Sequence, residues 1–286
     1  MSTLDKLVAM NVTVDEARDY IYANIGNAKN IFDAAKSGSL TAGDLANIVQ
    51  LSEAEVVGYF SNAGWDVAAM HNQRTDVFMV SALNSGNVLA YDPSSGNTKP
   101  LFSFNTTITD IASHYSGNVY GISFDTLYKF DISTQTTSQV ARIDYGSNAL
   151  EIHGDLLYIA SSTNSTVEIR DLNGVLVSEH NLPGGTSAGD ISIIGNSLFR
   201  TTNNGIFETS LATGATHLEI GSIGAKYHGL ARGKDDVLAG FAFDGDVKGY
   251  NPINGAVIDN LPDIRLVGND LSGATQMLQI HLTMWA

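Results

Sequence analysis

The chain has 286 residues, of which 43% are hydrophobic and 16% charged, and its formal net charge is -15. That length and apolar share describe an ordered globular protein able to bury a large core in one or two domains. The acidic balance argues against nucleic acid as a partner, because phosphate binding needs clustered Lys and Arg. The absence of cysteine excludes disulfides, thiolate metal sites and cysteine nucleophiles.

In chain order, the first residues set Asp5 and Lys6 among apolar positions, so no cleavable secretory leader is expected. No uncharged apolar run approaches the ~18 residues that span a bilayer, so no membrane insertion is expected. Residues 13–64 predict four short helices. Thr13 with Glu16, and Ser52 with Glu55, form capping boxes; Asn27 and Thr41 start the middle helices, and Gly38 and Asn62-Ala63-Gly64 supply stops. Tyr20, Ile25, Phe32, Leu45, Ile48, Val56 and Phe60 would share a core, giving a small all-α bundle over residues 1–65. Residues 41–60 resemble a helix-turn-helix, but the second helix carries Glu53 and Glu55 and no Lys or Arg. That charge repels phosphate, and a docking module is the expected use.

From residue 66 the period changes to short β-type runs separated by Gly, Asn, Asp and Ser. The phrase "DVAAMHNQRTDVFMVSALNSGNVLAYDPSSG" from 66 returns as "DIASHYSGNVYGISFDTLYKFDISTQ" from 110 and "ALEIHGDLLYIASSTNSTVEIRDLNG" from 149. It returns again as "DISIIGNSLFRTTNNGIFETSLATG" from 190 and "GLARGKDDVLAGFAFDGDVKGYNPING" from 229. Four strand-sized runs recurring every ~40 residues are the mark of a propeller blade. Gly117-Asn118, Gly154-Asp155 and Gly195-Asn196 would turn the first strand of a blade into its second. Asp92-Pro93 with Gly96, and Asn251-Pro252 with Gly255, would turn the third into the fourth. The glycines serve hairpins, and no GxGxxG or GxxxxGK[ST] pattern occurs.

The phrase V-x-x-Y-[DN]-P-x-[ST/N]-G at 88–96 and 247–255, with a looser copy at 127–134, resembles the repeats of the broad NHL, YVTN and PQQ-type propeller group. The resemblance covers about 220 residues and specifies a blade rather than an activity. The helical module is assigned to no family. The expected fold is therefore mainly β: a β-propeller over residues 66–286, five blades favoured and six possible, preceded by the helical bundle. A half-buried strand "LQIHLTMW" at 278–285 is expected to close the ring, since an open edge there would invite aggregation.

The starts of the innermost strands are the informative positions, because they gather at the channel mouth. Asp66, Asp110, Asp190 and Asp270 share that place in four repeats, with Asn148 and Tyr227-His228 in two others and Asn269 beside Asp270. Converging oxygens suit a hard cation, so Asp110, Asp190 and Asp270 are candidate Ca²⁺ ligands. The competing expectation is that each Asp caps backbone N–H groups at the start of its own strand. Among the histidines only His228 earns a functional reading; His114, His153, His180, His217 and His281 read as structural, lacking HxH or HxxxH spacing. Without a GxSxG elbow, no Ser-His-Asp triad is expected.

Two functions follow. The first is a non-enzymatic binding or assembly protein that meets a protein or carbohydrate partner, or further copies of itself, through the propeller and docks through the helices. The second is a metal-assisted hydrolase or lyase, similar to the calcium-dependent lactonases of propeller fold, acting at the channel mouth. An acidic, cysteine-free chain points to an extracellular or particle-surface location reached without a cleavable signal, with a cytoplasmic one as the alternative. The sequons at Asn11, Asn105 and Asn164 would matter only on a secretory route.

Overall fold

The recurring phrase places its two apolar residues three apart, so on an extended strand they face opposite sides. The protein uses this to fill two interfaces from one strand. In a computed structural model, described for residues 74–278 apart from 83, 84, 115, 195, 196, 204, 212, 221–226, 233–237, 253, 254 and 262–270, twenty strands form five four-stranded antiparallel sheets. The helical module expected over residues 1–65 lies outside the described residues.

The first sheet takes β1 (Arg74–Ala82), β2 (Asn87–Asp92) and β3 (Asn97–Ser103) from the start of the described chain and β20 (Leu271–Leu278) from its end, in the order β20-β1-β2-β3. The second holds β4 (Asp110–Ser113), β5 (Val119–Ser123), β6 (Thr126–Asp131) and β7 (Thr136–Arg142). The third holds β8 (Ser147–His153), β9 (Leu156–Ser161), β10 (Thr166–Asp171) and β11 (Leu176–Asn181). The fourth holds β12 (Ile191–Ile194), β13 (Ser197–Thr202), β14 (Gly205–Ser210) and β15 (Thr216–Ile220), and the fifth β16 (Tyr227–Arg232), β17 (Leu238–Ala242), β18 (Val247–Tyr250) and β19 (Val257–Leu261). β4 packs on β8, β8 on β12, β12 on β16, β16 on β20 and β20 on β4, which closes a ring of innermost strands. The chain is a five-bladed β-propeller, in agreement with the repeat-group resemblance.

Closure differs from the expected register. The first blade is completed by 271–278, not by 278–285, and residues 279–286 lie outside the described residues. β20 pairs with β1 from Arg74↔Leu278 to Ala82↔Leu271. The repeat that begins at 66 therefore contributes, as far as Ser103, only the second, third and fourth strands of its blade among the described residues, and the innermost strand comes from the far end of the sequence. A blade built from both ends clasps the ring and pairs the inner edge of β1.

The core is five wedges, one between each pair of blades. Val88 packs with Met79, Phe104, Ile111 and Phe130 between blades one and two, while Tyr91 packs with Phe78, Phe241 and Leu271 between blades five and one. Leu127 and Phe130 divide in the same way, as do Val247 and Tyr250. The third-to-fourth turns repeat a second device: Asp92, Asp131 and Asp171 each accept the backbone N–H two residues on, at 2.8, 2.9 and 2.9 Å. Gly96 and Gly255 finish such turns at φ 71° and 67°, a conformation costly for other residues.

Polarity rises outwards. β17 is buried along its whole length, whereas β11 is exposed at every residue but Ser178. All five pairings of third and fourth strands carry a register shift, at Val88/Leu89, Leu127/Tyr128, Ile169/Arg170, Glu208/Thr209 and Gly249/Tyr250. Bulges there twist the outer edges and hinder pairing with another chain.

Candidate functional site at the channel axis

Asp110 pairs across from Ile122, which puts the start of β4 at the same end of the ring as the β5–β6 hairpin. Asp110 and Asp190, at the starts of the second and fourth blades, are both fully buried. Asp110 Oδ1 accepts the N–H of Ile111 at 2.8 Å, and Oδ2 that of Leu150 at 2.6 Å. Asp190 Oδ1 accepts the N–H of Ile191 at 2.6 Å, and Oδ2 those of Leu230 at 2.5 Å and Ala274 at 3.2 Å. Each innermost strand, β4, β8, β12, β16 and β20, thus donates one N–H to the pair. The cross-blade bonds from Leu150 and Leu230 repeat at a separation of 40 residues, one repeat.

The two carboxyl groups also lie within hydrogen-bonding reach of each other. Burial pushes Asp110 well above the usual carboxylate range, and the neighbouring Asp190 charge adds to the shift. Burial likewise raises Asp190, against the bonds it accepts from Asp110, Leu230 and Ala274. Like charges this close cannot both ionise, so the pair retains a proton. Gly273 makes the approach of β20 possible: a Cβ there would fall 2.0 Å from Asp110 Oδ1 and 2.7 Å from its Cα.

A second polar layer lies further along the inner strands. Ser113 N–H donates to Thr275 Oγ1 at 3.2 Å, joining the second blade to the first. Ser192 Oγ donates to Glu151 Oε2 at 3.2 Å, and Ile152 N–H to Glu151 Oε1 at 2.8 Å. Glu151 keeps part of its surface accessible, yet burial of its carboxyl pushes it up to about 7, against the attraction of Arg232.

Of the remaining residues singled out in the sequence, Asn148 is buried and donates through Nδ2 to Ser187 O at 3.3 Å, while its Oδ1 has no partner. Tyr227 turns into the wedge between blades four and five, where its hydroxyl accepts from Tyr250 at 2.9 Å. His228 is half-buried beside Phe243, with ring centroids 5.3 Å apart. Asp66, Asn269 and Asp270 lie outside the described residues. Among the described residues no three carboxylate or imidazole groups cluster as metal ligands do.

The sequence reading placed Asp110 and Asp190 at the axis, and its capping alternative covers their bonds from Ile111 and Ile191, but it missed those from Leu150, Leu230 and Ala274, main-chain groups of other blades that leave no side-chain signature. It also missed that Phe124, Tyr145 and Phe243 stand exposed at this end of the ring. Phe124-Asp125 and Phe243-Asp244 occupy the same hairpin in blades two and five, a recurrence visible in "SFDTLYKF" and "AFDGDVKGY".

No protein-family model and no curated protein sequence matches the chain. Among solved structures it is similar to one from the crystal structure of the nidogen–laminin complex, at 12% identity and TM-score 0.51, over 71% of this chain and 98% of that one. It is also similar to a protein of unknown function from Bacteroides caccae, at 9% identity and TM-score 0.48, over 64% of this chain and 71% of the other. At these identities the similarity speaks to the fold alone.

Proposed function

We propose that the protein is a binding or assembly platform whose propeller meets its partner at the end of the ring where the innermost strands begin, with residues 1–65 as a separate docking module. The supporting observation is the division of labour at that end. The axial carboxyls are spent on five main-chain N–H groups and are sealed from solvent, while large rings nearby stand in water, Tyr145 with 77% of its surface exposed. Exposed aromatic groups offer large contact area at small entropic cost and are enriched at recognition surfaces of protein and carbohydrate partners.

The test is a photo-crosslinking residue at Tyr145 in the intact chain, expressed in its producing cells, with a second at Val177 on the outer edge strand β11. A discrete adduct from position 145 alone is expected, at twice the chain mass if the partner is another copy. Equal adducts from both positions, or none, would overturn the reading.

The calcium-assisted alternative has one observation in its favour, the approach of Asp110 to Asp190. Calorimetric titration with Ca²⁺ separates the two readings. Saturable heat that Asp110→Asn removes favours the metal, whereas the platform needs no ion.

A further inference from the structure

The hairpin between β4 and β5 lies at the opposite end of the inner strands from Asp110, where Ser113 pairs with Val119. His114 is buried there, and both of its ring nitrogens have partners. Nδ1 lies 2.7 Å from Ser116 Oγ and accepts the Ser116 N–H at 3.2 Å. Nε2 lies 3.1 Å from Asp155 Oδ1, in the Gly154-Asp155 turn of the next blade. A ring nitrogen that accepts a backbone N–H carries no proton, so this network assigns the hydrogen to Nε2, which donates it to Asp155. The Asn118 amide donates to Ser116 Oγ at 3.1 Å, leaving the hydroxyl's own hydrogen for His114 Nδ1. Hydroxyl, basic nitrogen and orienting carboxylate stand in series, and Ser116 is open to solvent.

We propose that Ser116 is the nucleophile of an acyl-transfer site, with His114 as its base and Asp155 orienting the imidazole, acting on small neutral or cationic esters. Ser116 Oγ forms a bond to the ester carbonyl carbon as its proton passes to His114 Nδ1, and the imidazolium is stabilised by Asp155. The carbon–oxygen bond to the alcohol then breaks, and Nδ1 returns the proton to the departing oxygen. Water attacks the acyl-serine by the same route, releasing the acid and restoring Ser116. The charge preference follows from the surroundings: Asp155 and Asp171 both bear on Tyr120, so this surface disfavours an anionic acyl donor. The proposed members come from two blades 41 residues apart rather than from one elbow, so a search for a GxSxG pattern does not detect them.

The experiment uses the full-length protein, a neutral fluorophosphonate probe and p-nitrophenyl acetate. One adduct at Ser116 is expected by peptide mass spectrometry, with an acetyl-enzyme burst, both absent in Ser116→Ala. His114→Gln should slow modification at least about 100-fold. Asp155→Asn, in a partly exposed turn, should slow it less and keeps the test valid if the buried histidine variant fails to fold. A mere turn brace would not move a further readout: the thiol of Ser116→Cys should titrate below the ordinary ~8.5 and return towards it when Asp155→Asn is added. Labelling of Ser116 no faster than that of Ser133, another exposed turn serine, or a thiol titrating at its ordinary value, would sink the proposal.

Discussion

Glu151 sits in the inner polar layer with part of its surface accessible, and its carboxyl is raised from an ordinary 4.5 to about 7 by burial. The folded protein therefore binds a proton that the unfolded chain releases between those two values. Its contribution to stability is full below about pH 4.5 and is lost as pH rises through 7, at about 1.4 kcal/mol for each unit of difference. Glu151→Gln should flatten that fall, so that urea midpoints at pH 5 and pH 7.5 converge, whereas a variant as pH-dependent as the parent would show that the carboxyl is ionised in the fold. Asp92 and Asp131 act in the opposite sense. Hydrogen bonds from Ser94 and Ser133 lower them, so their stabilisation fades only in acid, and both are too exposed to dominate. The axial pair adds to the effect of Glu151, because Asp110 and Asp190 are also raised.

At the scale of the element, β20 is the least legible strand and the most consequential. The alternation of Leu278, Ile280, Leu282 and Met284 pointed to a closing strand one element too late. The strand that closes the ring contains Ser272, Gly273 and Thr275, just after the Asp270 that the repeat marked as a strand start, and these residues carry no apolar alternation. Those residues are small and polar because they meet polar groups of neighbouring strands rather than an apolar core. Ser272 Oγ bonds Ser81 Oγ at 3.0 Å, and Gly273 stands against the Asp110 carboxyl. A hydrophobic-period reading cannot see a strand whose partners are carboxyl and main-chain groups. Gly273→Ala is accordingly expected to cost about 3 kcal/mol, since neither the carboxyl nor the Asp110 Cα can retreat within the ring. Gly214→Ala is the contrast, at a surface turn where a Cβ meets nothing within 4 Å but φ is +70°. It should show only the smaller cost of the left-handed conformation. Equal losses from the two, measured by chemical denaturation, would mean that β20 does not approach Asp110 so closely. The same blindness explains why His114 read as a lone residue, its partners lying two residues on and one blade away.

For the whole molecule, five repeats were readable because several blades spend the same residue types on the same tasks. In blades one, two and five an apolar pair feeds two wedges, in blades one to three an Asp makes the outer turn, and glycines recur in the hairpins. What a repeat cannot announce is how the ring shuts, since closure is a relation between the two ends of the sequence. The structure supplies it: Arg74 lies opposite Leu278, the last pair of an antiparallel ladder, so a short turn could join them as a hairpin. A permuted chain can then begin at Asn105, run to Leu278, pass through an Asn-Gly turn to Arg74 and end at Phe104. It contains every described strand, and each blade is one continuous segment. Because the wedges and the axial hydrogen bonds are unchanged, its sheet content by circular dichroism should match the parent's, and it should melt in a single cooperative transition. It should nevertheless unfold faster, because the clasp of two chain ends in one blade is replaced by a junction between separate blades, held by the wedge around Val88, Phe104 and Phe130 and by inner-strand bonds such as that from Ser113 N–H to Thr275 Oγ1. Stopped-flow unfolding in denaturant measures this. A permutant that unfolds no faster than the parent would mean that the mixed blade contributes nothing to kinetic stability, and one with no cooperative transition would mean that residues 1–73 or 279–286 belong to the propeller's own core.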